Sequence, residues 1–339
     1  QIKGLTPAGV TIRRVSDMEE RSLRQVATGL GGPNNAPMRE TGFDIVTASE
    51  IMAVLALARD LEDLRQRLGR IVVGYKVDNG PVTATDVGAV GSMMSLLRYA
   101  IQPNIVQTTE GRPVIVHAGP FGNIAHGCSS VVGDLLALGY ADYVLSEAGF
   151  GADLGFEKFM HIKARFNELE PSAAVLVATV RAIKYHGGIH PRELDTPNEE
   201  AVHRGIENLQ HLVGVVKSFG IPVVVALNHF PTDTTGETAI VKRGAEEAGA
   251  FAALECHFFA EGGDGGVDLA EALIEATEGD RPKIHYAYEV ESTMLDKVNA
   301  LANLVYNAKN VQWSPSAQRL LRRFEEHGWG HLPVCMAKT

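Results

Sequence analysis

The stretch Val223-Val224-Val225-Ala226-Leu227, preceded by Ile221-Pro222 and running into Asn228-His229-Phe230-Pro231-Thr232-Asp233-Thr234, decides the fold class. Five apolar residues in a row, three of them β-branched, are too few for a helix. They also lack the alternation of a half-exposed strand. A run of this kind suits a strand buried on both faces, as in the middle of a parallel sheet. Working outward, similar short runs occur at 71–75, 114–117, 143–145, 175–180 and 284–287, each bounded by Gly, Pro or Asp.

Longer amphipathic stretches lie between these runs. Thr47 and Glu50 have capping-box spacing, and Ile51, Leu55, Ala58, Leu61 and Leu64 follow at helical intervals. Thr196, Pro197 and Glu199 supply a cap, a first-turn proline and a box partner for a helix running towards Lys217. Ser314-Pro315 opens another helix, which ends near Gly328. Strands alternating with helices predict an α/β fold, a mostly parallel sheet with helices on both faces joined by right-handed crossovers. The polar, proline-bearing segment 187–198 reads as a surface insertion. It divides a main α/β portion, 1–190, from a smaller α/β portion, 191–339.

Bulk properties exclude some functions. In 339 residues, 45% are hydrophobic and 21% charged, with a formal net charge of -10. Such a balance is that of a globular protein and lacks the basic face a nucleic-acid binder needs. Local Arg and Lys clusters can still hold a small anion. Cys128, Cys256 and Cys335 are far apart and odd in number, with no CxxC pair, which suits a reducing, cytoplasmic setting. The apolar runs are far shorter than a membrane span. Gln1 in place of Met, and Thr339 directly after a strand-like run, read as cut ends.

In an open parallel sheet, ligands bind beyond the carboxyl ends of the strands. Glycine-rich loops follow four of the apolar runs, at 118–128, 146–155, 181–188 and 228–234, and a fifth, at 258–266, follows a further strand expected at Leu254. Glycine permits close backbone approach to a flat or anionic ligand, so five such loops on one edge predict a cleft. Phe230, Phe258 and Phe259 sit in two of these loops, either as core plugs or as clamps on a planar ring. Other signals are weaker. Gly149-Phe150-Gly151 followed by Gly155 is mis-spaced for a dinucleotide fingerprint, Asp153 reads as a helix cap, and Cys128 as a small core residue. His117, His126, His186 and His229 lack metal-ligand spacing, so no metal site is predicted. No GxxxxGK[ST] run occurs. Thr6-Pro7-Ala8-Gly9 starts like one but continues Val10-Thr11-Ile12 without a lysine, and Lys338-Thr339 has no glycine loop before it. No catalytic residue is assigned in this segment.

Specific strings span nearly the whole chain. They include Ala27-Thr28-Gly29-Leu30-Gly31-Gly32-Pro33, Arg39-Glu40-Thr41-Gly42-Phe43-Asp44-Ile45, Ser49-Glu50-Ile51-Met52-Ala53 and Leu68-Gly69-Arg70-Ile71-Val72-Val73. Further along come Gly119-Pro120-Phe121 with Asn123-Ile124-Ala125-His126-Gly127-Cys128, the run 147–155, Thr179-Val180-Arg181 with Lys184-Tyr185-His186-Gly187-Gly188, and the run 332–339. Together they resemble formate–tetrahydrofolate ligases. The resemblance implies a fold similar to P-loop NTPases and an ATP-dependent carbon–nitrogen ligase. ATP and formate give formyl phosphate, and tetrahydrofolate takes the formyl group to give 10-formyltetrahydrofolate, ADP and phosphate. It further implies Mg²⁺, a monovalent cation and a homo-oligomer, a tetramer in the family, with small-molecule substrates, no nucleic acid and no membrane.

By the same resemblance, Gly122, Asn123, Gly149, Phe150 and Gly151 belong to the nucleotide and formyl-phosphate side, in the 1–190 portion. Phe230 and Phe259 belong to the folate side, stacking on the pterin. Phe259 stands where the family commonly has Trp, and Gly122 where it commonly has Ala. The family's P-loop and its formyl-phosphate and cation ligands lie upstream of these motifs, so this segment alone is expected to be inactive. The alternative is a non-catalytic folate-binding or oligomer-forming relative lacking the P-loop half.

Overall fold

A computed structural model describes residues 2–18 and 20–337. Gln1, singled out above as a non-Met start, and Lys338-Thr339, which close the run 332–339, lie outside the described residues. The chain forms two compact units, one of Gln1–Gly149 with Cys335–Thr339 and one of Phe150–Val334. The α/β class expected from the sequence is what folds, with parallel strands and helices.

The first unit contains strands β1 (Leu5–Val10), β2 (Arg14–Val15), β3 (Val26–Thr28), β4 (Arg39–Thr41) and β5 (Phe43–Asp44). Helices α1 (Glu50–Leu57) and α2 (Leu61–Arg70) follow, then β6 (Val72–Lys76), β7 (Pro81–Thr83), α3 (Val90–Leu97), β8 (Asn104–Gln107), β9 (Pro113–Val116) and α4 (Val131–Leu138). Leu55, Ala58, Leu64, Leu68, Ile71, Ala84 and Ile101 form its buried cluster. The helical repeat from Ile51 to Leu64 is split into two helices. Asp60 accepts a bond from Asp63 N at 2.8 Å and so caps a new helix there. The first of the two is capped by Ser49, which accepts from Ile51 N and Met52 N, in place of the expected Thr47 and Glu50 box.

Beside the short parallel pair of β2 and β5, the strands expected in this unit pair antiparallel, for a simple reason. The runs at 71–75 and 114–117 became β6 and β9, each tied to a neighbour by a short turn. The β6–β7 turn uses Asn79, with φ +66°, and the β8–β9 turn uses Gly111, with φ +79°. Such turns are too short for a parallel crossover, so both pairs are antiparallel.

The second unit carries the parallel sheet. It contains β10 (Ala174–Ala178), α5 (Val180–His186), α6 (Glu199–Ser218), β11 (Val223–Asn228), α7 (Thr235–Glu247), β12 (Ala252–Cys256), α8 (Phe258–Glu261), α9 (Val267–Thr277), α10 (Met294–Leu304) and α11 (Pro315–Glu326). The order is β10-β11-β12, parallel and in register. All five residues 223–227 are buried. Because successive side chains point to opposite faces, both faces of β11 are covered. Helix α6 lies against β10 and β11, while α7 and α9 lie against β11 and β12.

The helix expected from Thr196 is capped by Asn198 instead, which accepts from Ala201 N at 2.9 Å. Ser314-Pro315 opens α11 as expected, and Gly328 follows its end in the left-handed conformation. The runs 143–145 and 284–287 are not strands. In the latter, His285 N donates to Phe219 O and Ala287 N to His161 Nε2, so those amides are bonded outside any ladder. The division expected at 190 falls inside the second unit. Helices α5 and α6 on either side touch backbone to backbone, where a Cβ at Gly205 would overlap Ile183 O, and β10 and β11 pair across the same segment.

One buried ion pair ties this unit together. Lys184 Nζ lies 3.0 Å from Glu237 Oε1 and donates to Thr196 O at 3.1 Å. Asn198 N donates to the same carboxylate oxygen at 2.8 Å, and Thr234 N and Oγ1 donate to the other, each at 3.0 Å. The pair therefore links α5, the segment before α6, and the first turn of α7. Burial pushes the Glu237 carboxyl up, but the donors from Asn198, Lys184 and Thr234 outweigh it and hold the group below its ordinary value.

Lys184→Met, which leaves that carboxylate enclosed without its cation, will cost the second unit about 3–5 kcal/mol in urea unfolding. A loss below about 1 kcal/mol would contradict this account. Folded Glu237 holds its proton less readily than unfolded Glu237. Its contribution is complete above the ordinary glutamate range and drains away as pH falls through the depressed folded value. In Glu237→Gln, that part of the acid dependence disappears.

Candidate functional site

Register fixes the geometry of one edge. Ala178 pairs with Leu227 and Asn228 with Cys256, so β10, β11 and β12 end side by side. Their continuations are Thr179-Val180-Arg181, the turn 229–234, and His257-Phe258-Phe259. Thr179 caps α5 through Ala182 N at 3.0 Å, which places Arg181 in the first helical turn. The guanidinium carbon of Arg181 lies 5.7 Å from the centre of the Phe230 ring, and Arg181 also forms an ion pair with Asp195. The cation thus sits against a ring face, an attractive arrangement that also restricts the ring.

The Phe230 turn is held by its own sequence. Phe230 N donates to Asp233 Oδ2 at 2.9 Å, and Asp233 N returns a bond to Phe230 O at 2.9 Å. The other carboxylate oxygen of Asp233 is enclosed and without a hydrogen-bond partner. Thr234 and Glu237 then form a full capping box that starts α7. On the next strand, His257 lies with its ring centre 4.6 Å from that of His229. The ring of Phe258 covers Gly266 so closely that a Cβ there would overlap it. Phe259 is 98% exposed. Burial pushes the adjoining Cys256 thiol up, away from thiolate chemistry.

A second group of predicted residues gathers in the first unit. Gly127 has φ +67°, and a Cβ on it would lie 2.5 Å from the Cα of Gly122, so the two turns meet only because position 127 has no side chain. Gly127 O accepts from Gly149 N at 3.1 Å, and Cys128 bridges to Ala148. Gly122 and Gly149 are thereby brought to one place, with Asn123 half-buried in the same turn. Phe150 opens the second unit with φ +66° and is 56% exposed. A non-glycine residue in that region of backbone space is strained and more frequent at functional sites. Gly151 follows and leads into a wide π-helical turn, Ala152–Phe156, whose first turn contains Asp153 without capping it.

His117 is structural. Its Nε2 donates to Ala100 O at 2.6 Å, and its Nδ1 accepts from Ser130 Oγ at 2.6 Å, which in turn accepts from Gly133 N at 2.9 Å. Cys128 is buried, as a small core residue would be.

The expectation of five loops on a single rim is corrected to three, because the loops at 118–128 and 146–155 follow an antiparallel strand and a coil segment. Among the described residues no ring contact joins Phe230 to Phe259, though their loops leave adjacent strands. Arg181 and Asp233 lay within the loops expected at this edge but were given no individual role, and His257 lay just outside them. The Phe-Pro-Thr-Asp spacing, which allows a side chain to cap its own turn, was the available signal for Asp233. Among the described residues there is no group of three or more His, Cys, Asp or Glu side chains that could hold a metal ion. Nor is there a helix long and apolar enough to cross a membrane.

Known proteins resemble this chain along nearly its whole length. A family model described as formate–tetrahydrofolate ligase matches residues 2–339. A formate–tetrahydrofolate ligase of Roseiflexus sp. (strain RS-1) is 51% identical over 99% of this chain and 61% of its own length. One from Methylorubrum populi is 50% identical over 96% and 59%. One from Maricaulis maris is 51% identical over 97% and 59%. The chain spans about three-fifths of the length of these curated relatives. On the match across residues 2–339 and the identity throughout, this chain belongs to the formate–tetrahydrofolate ligase family.

Proposed function

We propose that this chain supplies the folate-side edge, and part of the nucleotide side, of an ATP-dependent formate–tetrahydrofolate ligase. In this reading a formate oxygen takes the γ-phosphoryl group of ATP and ADP leaves. The amine nitrogen of tetrahydrofolate then attacks the formyl carbon, the carbon–oxygen bond to phosphate breaks, and the nitrogen gives up its proton. The observation that carries it is the pair of aromatic loops leaving adjacent strands. Phe230 is fixed by Asp233 and faced by Arg181, while Phe259 projects almost wholly into solvent. An aromatic side chain left in water forgoes roughly 1.5–3 kcal/mol of burial, and a planar ligand restores it. A flat pterin against Phe230 and Phe259 uses both rings.

The same reading assigns Gly122, Asn123 and Gly149 of the first unit, and Phe150 and Gly151 of the second, to the nucleotide and formyl-phosphate side. The close approach of Gly127 to Gly122, with Gly149 bonded to Gly127, keeps that turn free of bulky side chains. Mg²⁺ and a monovalent cation belong to the family reaction, but the described side chains offer no matching donor set, and no step is assigned to them. The same proposal includes a cytoplasmic location and an assembly of several copies.

Single Phe230→Ala and Phe259→Ala substitutions will each weaken tetrahydrofolate binding by about tenfold, measured by calorimetry with folding checked by circular dichroism. Unchanged affinity in the double variant would end the folate reading. The chain carries no GxxxxGK[ST] phosphate loop. Tested alone with ATP, formate and tetrahydrofolate, the 339-residue chain is expected to turn over at least about a hundredfold more slowly than a full-length relative. Comparable turnover would contradict the assignment of the phosphoryl-transfer chemistry to segments beyond it.

A further inference from the structure

The string Thr28-Gly29-Leu30-Gly31-Gly32 takes no part in the proposed folate edge, yet its Thr28 and Gly29 line a cleft in the first unit of about 330 Å³, together with Thr6, Arg14, Asn35 and Arg39. Thr28 and Arg39 are cross-strand partners in the β3–β4 hairpin, and Thr28 Oγ1 donates to Arg39 O at 3.3 Å. The connecting loop folds back on itself. Asn35 Nδ2 donates to Leu30 O at 2.8 Å, and Gly29, Gly31 and Gly32 have φ of +84°, +94° and +112°. Side chains at 29 or 31 would collide with Pro37 O or Asn35 Nδ2, at 2.6 and 2.7 Å. Glycine is therefore demanded by close approach and not merely by turn flexibility.

The charges in this cleft do not balance. Arg14 and Arg39 both line it, and none of the lining side chains is acidic. The Nη1 of Arg39 is enclosed and has no hydrogen-bond partner. The nearby acid Asp44 is paired with Arg13 at 2.9 Å. An enclosed guanidinium nitrogen without an acceptor is costly, and two cations sharing one cleft repel, unless an anion sits between them. Guanidinium forks match the geometry of oxyanions, and the cleft volume lies at the small end of ligand sites.

We propose that this cleft binds a small oxyanion, a phosphoryl or carboxylate group, through Arg14 and Arg39. The site stands independently of the folate-side reading. It is tested by titrating the chain calorimetrically with inorganic phosphate and, separately, with a γ-linked oligoglutamate, at ionic strength held constant with sodium chloride. Wild-type protein should bind at least one of them with Kd of about 10 mM or tighter. Phosphate alone identifies the phosphoryl source, oligoglutamate alone the carboxylate source, and both together a general oxyanion site. Arg39→Lys, which keeps the charge but loses the fork, and Arg14→Met should each weaken binding about tenfold. Arg70→Met, outside the cleft, should leave it unchanged. Arg14 is exposed, so its variant remains informative if Arg39 variants fold poorly. Absence of binding of either anion to wild type, or equal binding by wild type, Arg14→Met and Arg39→Lys, would overturn the proposal.

Discussion

Parallel, in-register pairing of β10, β11 and β12 is the constraint on which the second unit depends. Parallel strands must all end at the same edge, so the three following loops have no freedom to separate. The buried run 223–227 anchors that pairing by covering both faces of the middle strand. At the level of the loops, the Lys184–Glu237 pair adds a second restraint, because one carboxylate receives donors from α5, from the approach to α6, and from the cap of α7. A paired, fully hydrogen-bonded carboxylate of this kind gives little net stability compared with apolar packing, but it specifies one arrangement of the helices. That arrangement holds Arg181 against Phe230 and leaves the Phe259 loop beside them.

Much of this was legible in residue order. A continuous apolar strand identified the parallel sheet, and Ser314-Pro315 located the start of α11. What the sequence concealed has identifiable physical causes. The runs at 71–75 and 114–117 carry the same β-branched character as β11. Their direction is set by the turns at Asn79 and Gly111, and apolar character says nothing about direction. Capping residues were displaced by two positions, from Thr47 to Ser49 and from Thr196 to Asn198. Neighbouring Ser, Thr, Asp and Asn residues compete for the same amides, and tertiary contacts choose among them. Thr196, before the cap, accepts from Lys184 through its backbone carbonyl.

The candidate site divides in the same manner. Phe230 and Phe259 were visible as aromatics next to strand ends. The contact that restricts Phe230 was not, since the approach of Arg181 joins positions 49 residues apart and arises only from strand pairing. Gly127 illustrates the reverse case. Its glycine was visible, but its purpose, close contact with Gly122 and a bond to Gly149, needed coordinates.

The central claim is that Phe230 and Phe259 act on one planar ligand together. It is tested most directly by fluorine NMR of the chain labelled with 4-fluorophenylalanine, the two resonances being assigned through Phe230→Leu and Phe259→Leu. On titration with tetrahydrofolate, both resonances should shift along one saturation curve. Movement of only one of them, or of neither while binding is complete, would contradict it.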